Sequence, residues 1–158
     1  MSKSLKRVRA ALEGDENEIR ETAEAKTAQQ AAAELGVERD QIAKSIIFQG
    51  QNSGEALLFI TAGGNQVCPT KAATLAREPL LRAEAALVRA QTGFAIGGVA
   101  PIAHISAIRS FFDTRLMDFA TVWAAAGTPR HVFSMAPARL LQKSGAQLSD
   151  FILENTQM

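Results

Sequence analysis

The sequence predicts an α+β fold. Segments of helical period and segments of strand period both occur along the chain. The strands fall mostly next to one another, and helices interrupt them without the regular strand-helix alternation of a doubly wound parallel sheet. With 158 residues, 47% of them apolar and 21% charged, the chain is large enough to bury one core and is expected to form a single domain over 1–158.

The opening "SLKRVRAALEG" carries Leu5, Val8 and Leu12 at helical spacing and predicts a first helix ending near Gly14. In "TAQQAAAELG", Thr27 and Gln30 have the spacing of a capping box, Ala28, Ala31, Ala32 and Leu35 form one stripe, and Gly36 stands at the C-terminal cap. A helix over 28–35 is expected. The period then changes to two: "QIAKSIIFQ" and "EALLFITAG", separated by "GQNSG", read as the strands of a hairpin, with "NQVCP" a candidate third strand. After Pro69, "TKAATLARE", with Thr70 as its cap, and "PLLRAEAALVRAQTG", stopped by Gly93, read as helical. Strand-like "SFFD", "DFATVWAAA" and "HVFSM" follow. "APARLLQKSG" reads as a late helix with Pro137 in its first turn.

Seventeen Lys and Arg against sixteen Asp and Glu give no global field able to hold a polyanion. Any nucleic-acid contact must be local. Lys3, Lys6, Arg7 and Arg9 on the first helix are either such a patch or a solvated face. The single Cys68 cannot pair within the chain, and no apolar run of membrane-spanning length or leader pattern opens it, so the cytoplasm is the expected compartment.

The stretch "QTGFAIGGVAPIAH", residues 91–104, sets three glycines and a proline in nearly chargeless surroundings. It lacks the Lys and hydroxyl of a phosphate-cradling P-loop, and a helix rather than a strand precedes it, unlike a dinucleotide fingerprint. What remains is Gly97, three residues, then Pro101. Bare N–H groups over Gly97, Gly98, Val99 and Ala100 could stabilise a developing oxyanion; the alternative is a tight turn packed against a helix.

In "IAKSIIF" the strand period puts Ile42, Lys44, Ile46 and Phe48 on one face. An ammonium there either meets an anion or lays its stem on apolar surface with the amine in water. His131 shares a face with Phe133 and Met135 and is either a hydrogen-bonded core residue or a site residue. His104 reads as a loop histidine and Cys68 as a buried structural thiol. Two histidines and one cysteine give no zinc spacing, so no metal or cofactor is expected. Ser45 and Ser134 lie outside any nucleophile elbow.

Taken in order, "TAQQAAAELGV", "QIAKSIIF", "TGFAIGGVAPIAH" and "FDTRLMDFATVWAAAGTPRHVF" resemble the YbaK/prolyl-tRNA synthetase-associated domain family over about residues 20–150. The resemblance implies a mixed, partly barrel-like sheet flanked by helices. It also implies deacylation of mischarged tRNA by a positioned water or the substrate's own groups, without a catalytic triad. Lys44 would engage the terminal phosphate of the acceptor end, and the amides from Gly97 to Ala100 the carbonyl oxygen. Thr27, Ser45, Pro101 and His104 would border the substrate, with His131 bounding the amino-acid pocket. The chain departs from the family pattern at Ala103, where many members have glycine.

The implied function is a freestanding deacylase acting in trans, metal-independent, on tRNA-Pro or a related tRNA carrying Ala, Cys, Ser or Thr, with a synthetase as a candidate partner. The alternative is a non-catalytic tRNA-binding or synthetase-associated module of the same fold.

Overall fold

The computed structural model describes residues 2–154, and its order of elements follows from local chemistry that the sequence displays. Helix α1 (Lys3–Ala11) starts where the Ser2 hydroxyl accepts the Leu5 N–H at 3.0 Å, and it buries Leu5 and Val8. A short strand β1 (Glu18–Glu21) follows. Helix α2 (Ala28–Leu35) has the expected bounds: Thr27 Oγ1 accepts the Gln30 N–H at 3.1 Å, and Gly36 closes the helix at φ +72°. The Gln30 side chain accepts from Lys26 rather than from Thr27, so the box closes one residue early. The hairpin is present as β2 (Ile42–Gly50) and β3 (Ala56–Ala62), paired from Ala43 with Ala62 to Gln49 with Ala56.

Several elements differ from expectation. "NQVCP" forms no strand; Val67 makes one isolated bridge to Ile152. Helix α3 (Pro69–Ala76) begins at Pro69 with Cys68 as its N-cap, because proline at the first helical position gives up no bonded N–H, and Thr70 lies inside the helix. The stretch after Pro79 is not one helix. Leu80–Arg82 is strand β4, paired antiparallel with the end of β2, and only Ala85–Thr92 is helix α4, closed by Gly93. Pairing with the open edge of β2, reinforced by the Gln51 N–H donating to Pro79 O at 2.9 Å, overrides the helical propensity of Leu80 and Leu81.

Strand β5 (Arg109–Asp113) precedes a 3₁₀ turn over Thr114–Asp118 capped by Asp113, which shortens the next strand, β6, to Val122–Ala125. Then come β7 (His131–Met135), α5 (Pro137–Ser144) and the short β8 (Gln147–Ser149). The eight strands form one mixed sheet in the order β1-β7-β6-β2-β3-β5-β8, with β4 attached to β2; five helices flank it and it stays open.

Strand β3 is buried on both faces, which explains its continuous apolar run from Ala56 to Ile60. Leu58, Ile60 and Ala62 join the main core beneath α1, α4 and α5, while Leu57 and Phe59 pack on the opposite face with Phe111, Phe151 and α3. A third cluster sets Ala32 and Leu35 of α2 against Ile42 and Trp123.

Candidate active site

Strand β2 leaves part of its outer edge unpaired. It joins β6 through Ile42 and Ala43 and β4 through Phe48, Gln49 and Gly50, so Lys44, Ser45, Ile46 and Ile47 face a gap. A cleft of about 510 Å³ opens there. Trp123 and His131 wall it on the β6–β7 side, Lys26 and Thr27 at the start of α2, Ile96, Gly97 and Val99 on the glycine loop, and Arg82 at the end of β4.

Lys44 shares the predicted face with apolar residues; its cross-strand partner is the fully buried Thr61. Its Nζ donates to Gly63 O at 3.3 Å. Burial holds the pKa below that of an ordinary lysine, and Arg39 adds to this, while Asp113 and Asp40 pull the other way. The carbonyl that holds the amine belongs to a braced turn. Asp40 accepts the Gly64 N–H at 2.7 Å, and Asp113 accepts the Ala62 N–H at 3.0 Å and the Asn65 side chain at 2.9 Å. Arg115 ties the two carboxylates, donating its Nε to Asp40 at 3.1 Å and its N–H to Asp113 at 2.9 Å. A side chain at Gly63 would collide with the Arg39 carbonyl, so this turn requires glycine for space.

The glycine loop is a real turn. Gly98 N–H donates to Ala95 O at 3.0 Å across it, and Gly97 occupies the left-handed region at φ +94°. Gly98 is therefore already engaged, and it is buried where a Cβ would lie 2.8 Å from Thr128 Cα. Gly97 and Val99 line the cleft, and their N–H groups have no hydrogen-bond partner among the described residues. Ala100 and Pro101 are buried behind the loop rather than in the cleft.

His104 points back onto that loop: its Nε2 lies 2.7 Å from Ala100 O, to which it donates. Burial lowers its pKa, the Ala100 contact opposes this and Arg7 adds to it, so the ring is neutral at pH 7. Of the residues expected to border the substrate, Pro101 and His104 thus brace the loop, outside the cleft lining. Ala103, at the position where the family pattern has glycine, sits at φ +63°. Its carbonyl accepts Arg7 Nε at 2.8 Å, and the same guanidinium lies 4.4 Å from the Phe94 ring centre. Arg7 is accordingly a fastening between α1 and the loop, not a member of a solvated patch.

His131 reaches the cleft with Nδ1 2.7 Å from Thr128 Oγ1 and Nε2 3.5 Å from Glu21 Oε2. Thr27 lines the mouth, its hydroxyl occupied by the helix cap. Ser45 lines the cleft, and its Oγ is buried without a hydrogen-bond partner. Lys26 and Arg82 were not anticipated. Lys26 immediately precedes the capping Thr27, a placement the helix start could have signalled; Arg82 was concealed by the helical reading of its strand. No carboxylate stands among the described residues lining the cleft, and no cluster of three metal-ligating side chains occurs among them or the other described residues.

A cleft cut into an open mixed sheet carries Lys26, Lys44 and Arg82 and no carboxylate among its described lining residues, a charge balance that favours anions over cations. The aminoacyl-tRNA editing domain model matches residues 22–143, and the chain belongs to that family. The chain is 40% identical to the protein in a crystal structure assigned as a candidate trans-editing enzyme for prolyl-tRNA synthetase, with a TM-score of 0.88, covering 98% of this chain and 99% of that one. It is 25% identical to the protein APE2540, with a TM-score of 0.82 over 96% of this chain and 100% of that one. It is also 31% identical over 127 residues to YwhH of Bacillus subtilis, covering 75% of this chain and 74% of the relative.

Proposed function

We propose that the protein is a freestanding deacylase that hydrolyses the ester of a mischarged tRNA, one carrying a small amino acid on tRNA-Pro or a related tRNA. The observation that carries this reading is the juxtaposition of cations with the free amides of Gly97 and Val99 in one cleft that holds no carboxylate. A polyanion's end is drawn to Lys26, Lys44 and Arg82 although the whole chain is nearly neutral.

The chemistry follows from those placements. Lys44 holds the terminal phosphate, a charge-assisted contact of about 1.5 to 3 kcal/mol. The amides of Gly97 and Val99 donate to the ester carbonyl as a water oxygen attacks its carbon and negative charge gathers on the carbonyl oxygen. Collapse breaks the bond to the ribose oxygen, which leaves with a proton that came from the water. His131, positioned by Thr128, bounds the amino-acid pocket, and the size of that pocket selects small side chains. No metal enters the reaction.

A panel of tRNA-Pro charged with Ala, Cys, Ser, Thr or Pro, assayed under single turnover before and after dialysis against a chelator, tests the whole reading. Selective loss of small non-cognate amino acids, unaffected by the chelator, is expected. Binding of tRNA without turnover on any ester would instead identify a non-catalytic module of the same fold, and activity restored only by zinc would overturn the metal-independent route.

A further inference from the structure

A second groove of about 510 Å³ lies beyond the wall of the cleft. It is lined by Ser2, Leu5, Arg9, Glu21 and Arg130, and by Thr128, Pro129 and His131, the three residues it shares with the cleft. The two spaces are therefore the two sides of one narrow partition.

The arginines of the chain fall into contrasting groups. Arg7, Arg20, Arg109, Arg115 and Arg139 have their guanidinium groups tied to carbonyl oxygens or carboxylates of the fold. The exposed guanidinium groups of Arg9, Arg39, Arg77, Arg82, Arg89 and Arg130 have no hydrogen-bond or ion-pair partner among the described residues, and of these Arg9 and Arg130 line the groove. Yet both stand on rigid supports. The backbone of Arg130 is held from two sides, its N–H donating to Thr128 Oγ1 at 3.1 Å and its carbonyl accepting the Thr22 N–H at 2.7 Å. Arg9 projects from α1, which is anchored through buried Leu5 and Val8. The one acid lining the groove, Glu21, lies 3.5 Å from His131 of the partition itself.

Resting on the deacylase reading above, we infer that this groove carries the nucleotides preceding the aminoacylated end. The RNA strand crosses the Thr128–His131 partition, and Arg9 and Arg130 take its phosphates. Charge complementarity and continuity with the cleft both favour a polyanion already anchored next door. The basic contribution of α1 is thereby reduced to Arg9, since Arg7 is fastened inward and Lys3 and Lys6 lie outside the groove lining.

The test compares wild type, Arg9→Glu with Arg130→Glu, and the charge-matched control Lys3→Glu with Lys6→Glu. Each is given a misacylated full-length tRNA and the matching aminoacyl ester of adenosine 5′-phosphate, which ends within the cleft. The groove variant should lose at least about tenfold in kcat/KM on the tRNA, keep its rate on the short ester, keep its melting temperature, and show a salt dependence reduced by about two phosphate contacts. The control should stay near wild type on both substrates. Equal rates on tRNA, equal losses on both substrates, or an equal loss in the control would each overturn the assignment. If wild type cleaves neither substrate, the deacylase reading fails, and filter binding of uncharged tRNA still decides this one: affinity weakened only in the groove variant sustains it, and unchanged affinity ends it.

Discussion

Two turns that support the cleft, one behind Lys44 and one on the glycine loop, are built on opposite plans. The Gly63–Gly64 turn, which presents a carbonyl to Lys44, is held by two carboxylates and an arginine that bonds to both of them. The Ala95–Gly98 turn, which presents amides, is closed by one backbone bond and propped from behind by His104, with Ile96 60% exposed at its tip and Ala103 in the left-handed region. A charge must be held against its own desolvation, so the side that positions Lys44 is heavily cross-linked. On the proposed mechanism the loop amides must stay unbonded to receive an oxyanion, so the other side cannot be. The difference teaches that the same residue type, a glycine pair, serves two purposes: close approach at Gly63, and backbone conformation at Gly97.

The largest effect should come from breaking the braced side at its functional end. Lys44→Ala is expected to lower single-turnover deacylation at least about tenfold with little change in melting temperature, because a phosphate contact is lost while the amine makes a single hydrogen bond among the described residues. Lys44→Arg should retain a larger share. The same lysine sets a pH dependence. Its folded pKa lies below that of an ordinary lysine, so the native state gives up the proton first as pH rises. Affinity for an amide-linked, non-hydrolysable aminoacyl-tRNA should therefore fall on the alkaline side at a lower pH than a free lysine would dictate, and this limb should be absent in Lys44→Arg. Stability moves the other way: the unfolded chain holds the proton more tightly, so above the folded pKa this group's burial penalty is relieved as pH rises. Wild-type turnover in Lys44→Ala would remove the lysine from the mechanism.

The glycine pair of the other turn sharpens the comparison. At Gly98 an added side chain meets the Thr128 backbone, and Gly98→Val should destabilise by about 2 to 3 kcal/mol and displace the loop. At Gly97 there is open space but φ is +94°, so Gly97→Val should cost less stability and act mainly by obstructing the ester. Melting curves run beside single-turnover rates separate the two. A folded Gly97→Val protein with near-normal turnover would show that these amides do not hold the oxyanion.

Cutting the brace itself should have a smaller effect. Asp40→Ala removes the acceptor of the Gly64 N–H and one of the two carboxylates paired with the Arg115 guanidinium, the other being Asp118, at a cost of about 1 to 2 kcal/mol in stability. Because Gly63 O then loses its fixed position, a several-fold rise in KM is expected, with Asp40→Asn recovering part of it through its remaining acceptor. Loss of stability with no change in KM would make the network purely structural.

Much of this arrangement was legible because it rests on local rules. The α2 cap from Thr27 to Gly36, the β2–β3 hairpin and the orientation of Lys44 among Ile42, Ile46 and Phe48 follow from capping chemistry and the period of two. What escaped was decided by partners distant in sequence. Glu18–Glu21 has one apolar residue and becomes a strand only because β7 offers it an edge; Leu80–Arg82 reads as helix until β2 claims it. The site divided in the same way. Lys44, Ser45, Thr27, Gly97, Val99 and His131 converge on the cleft, whereas Gly98, Ala100, Pro101 and His104 serve the loop from behind. A linear motif does not say which of its residues face the ligand and which hold up the ones that do.

The smallest expected effect tests whether the lightly held loop carries strain. Ala103 sits at φ +63°, where an alanine pays roughly 1 to 2 kcal/mol that a glycine does not, although a glycine also leaves the unfolded chain with about 0.4 to 1 kcal/mol more entropy to lose. The two terms leave a net gain of about 0.5 to 1 kcal/mol for Ala103→Gly, a rise of roughly 1 to 4 °C in melting temperature for a domain of this size. Its carbonyl would still accept Arg7, so the fastening of α1 to the loop survives and turnover should be unchanged. The opposing influence is the methyl group, which is partly buried against the main core. A lower melting temperature in Ala103→Gly would mean that this packing outweighs the backbone strain, and that the amide-bearing side of the cleft is held more firmly than its few hydrogen bonds indicate.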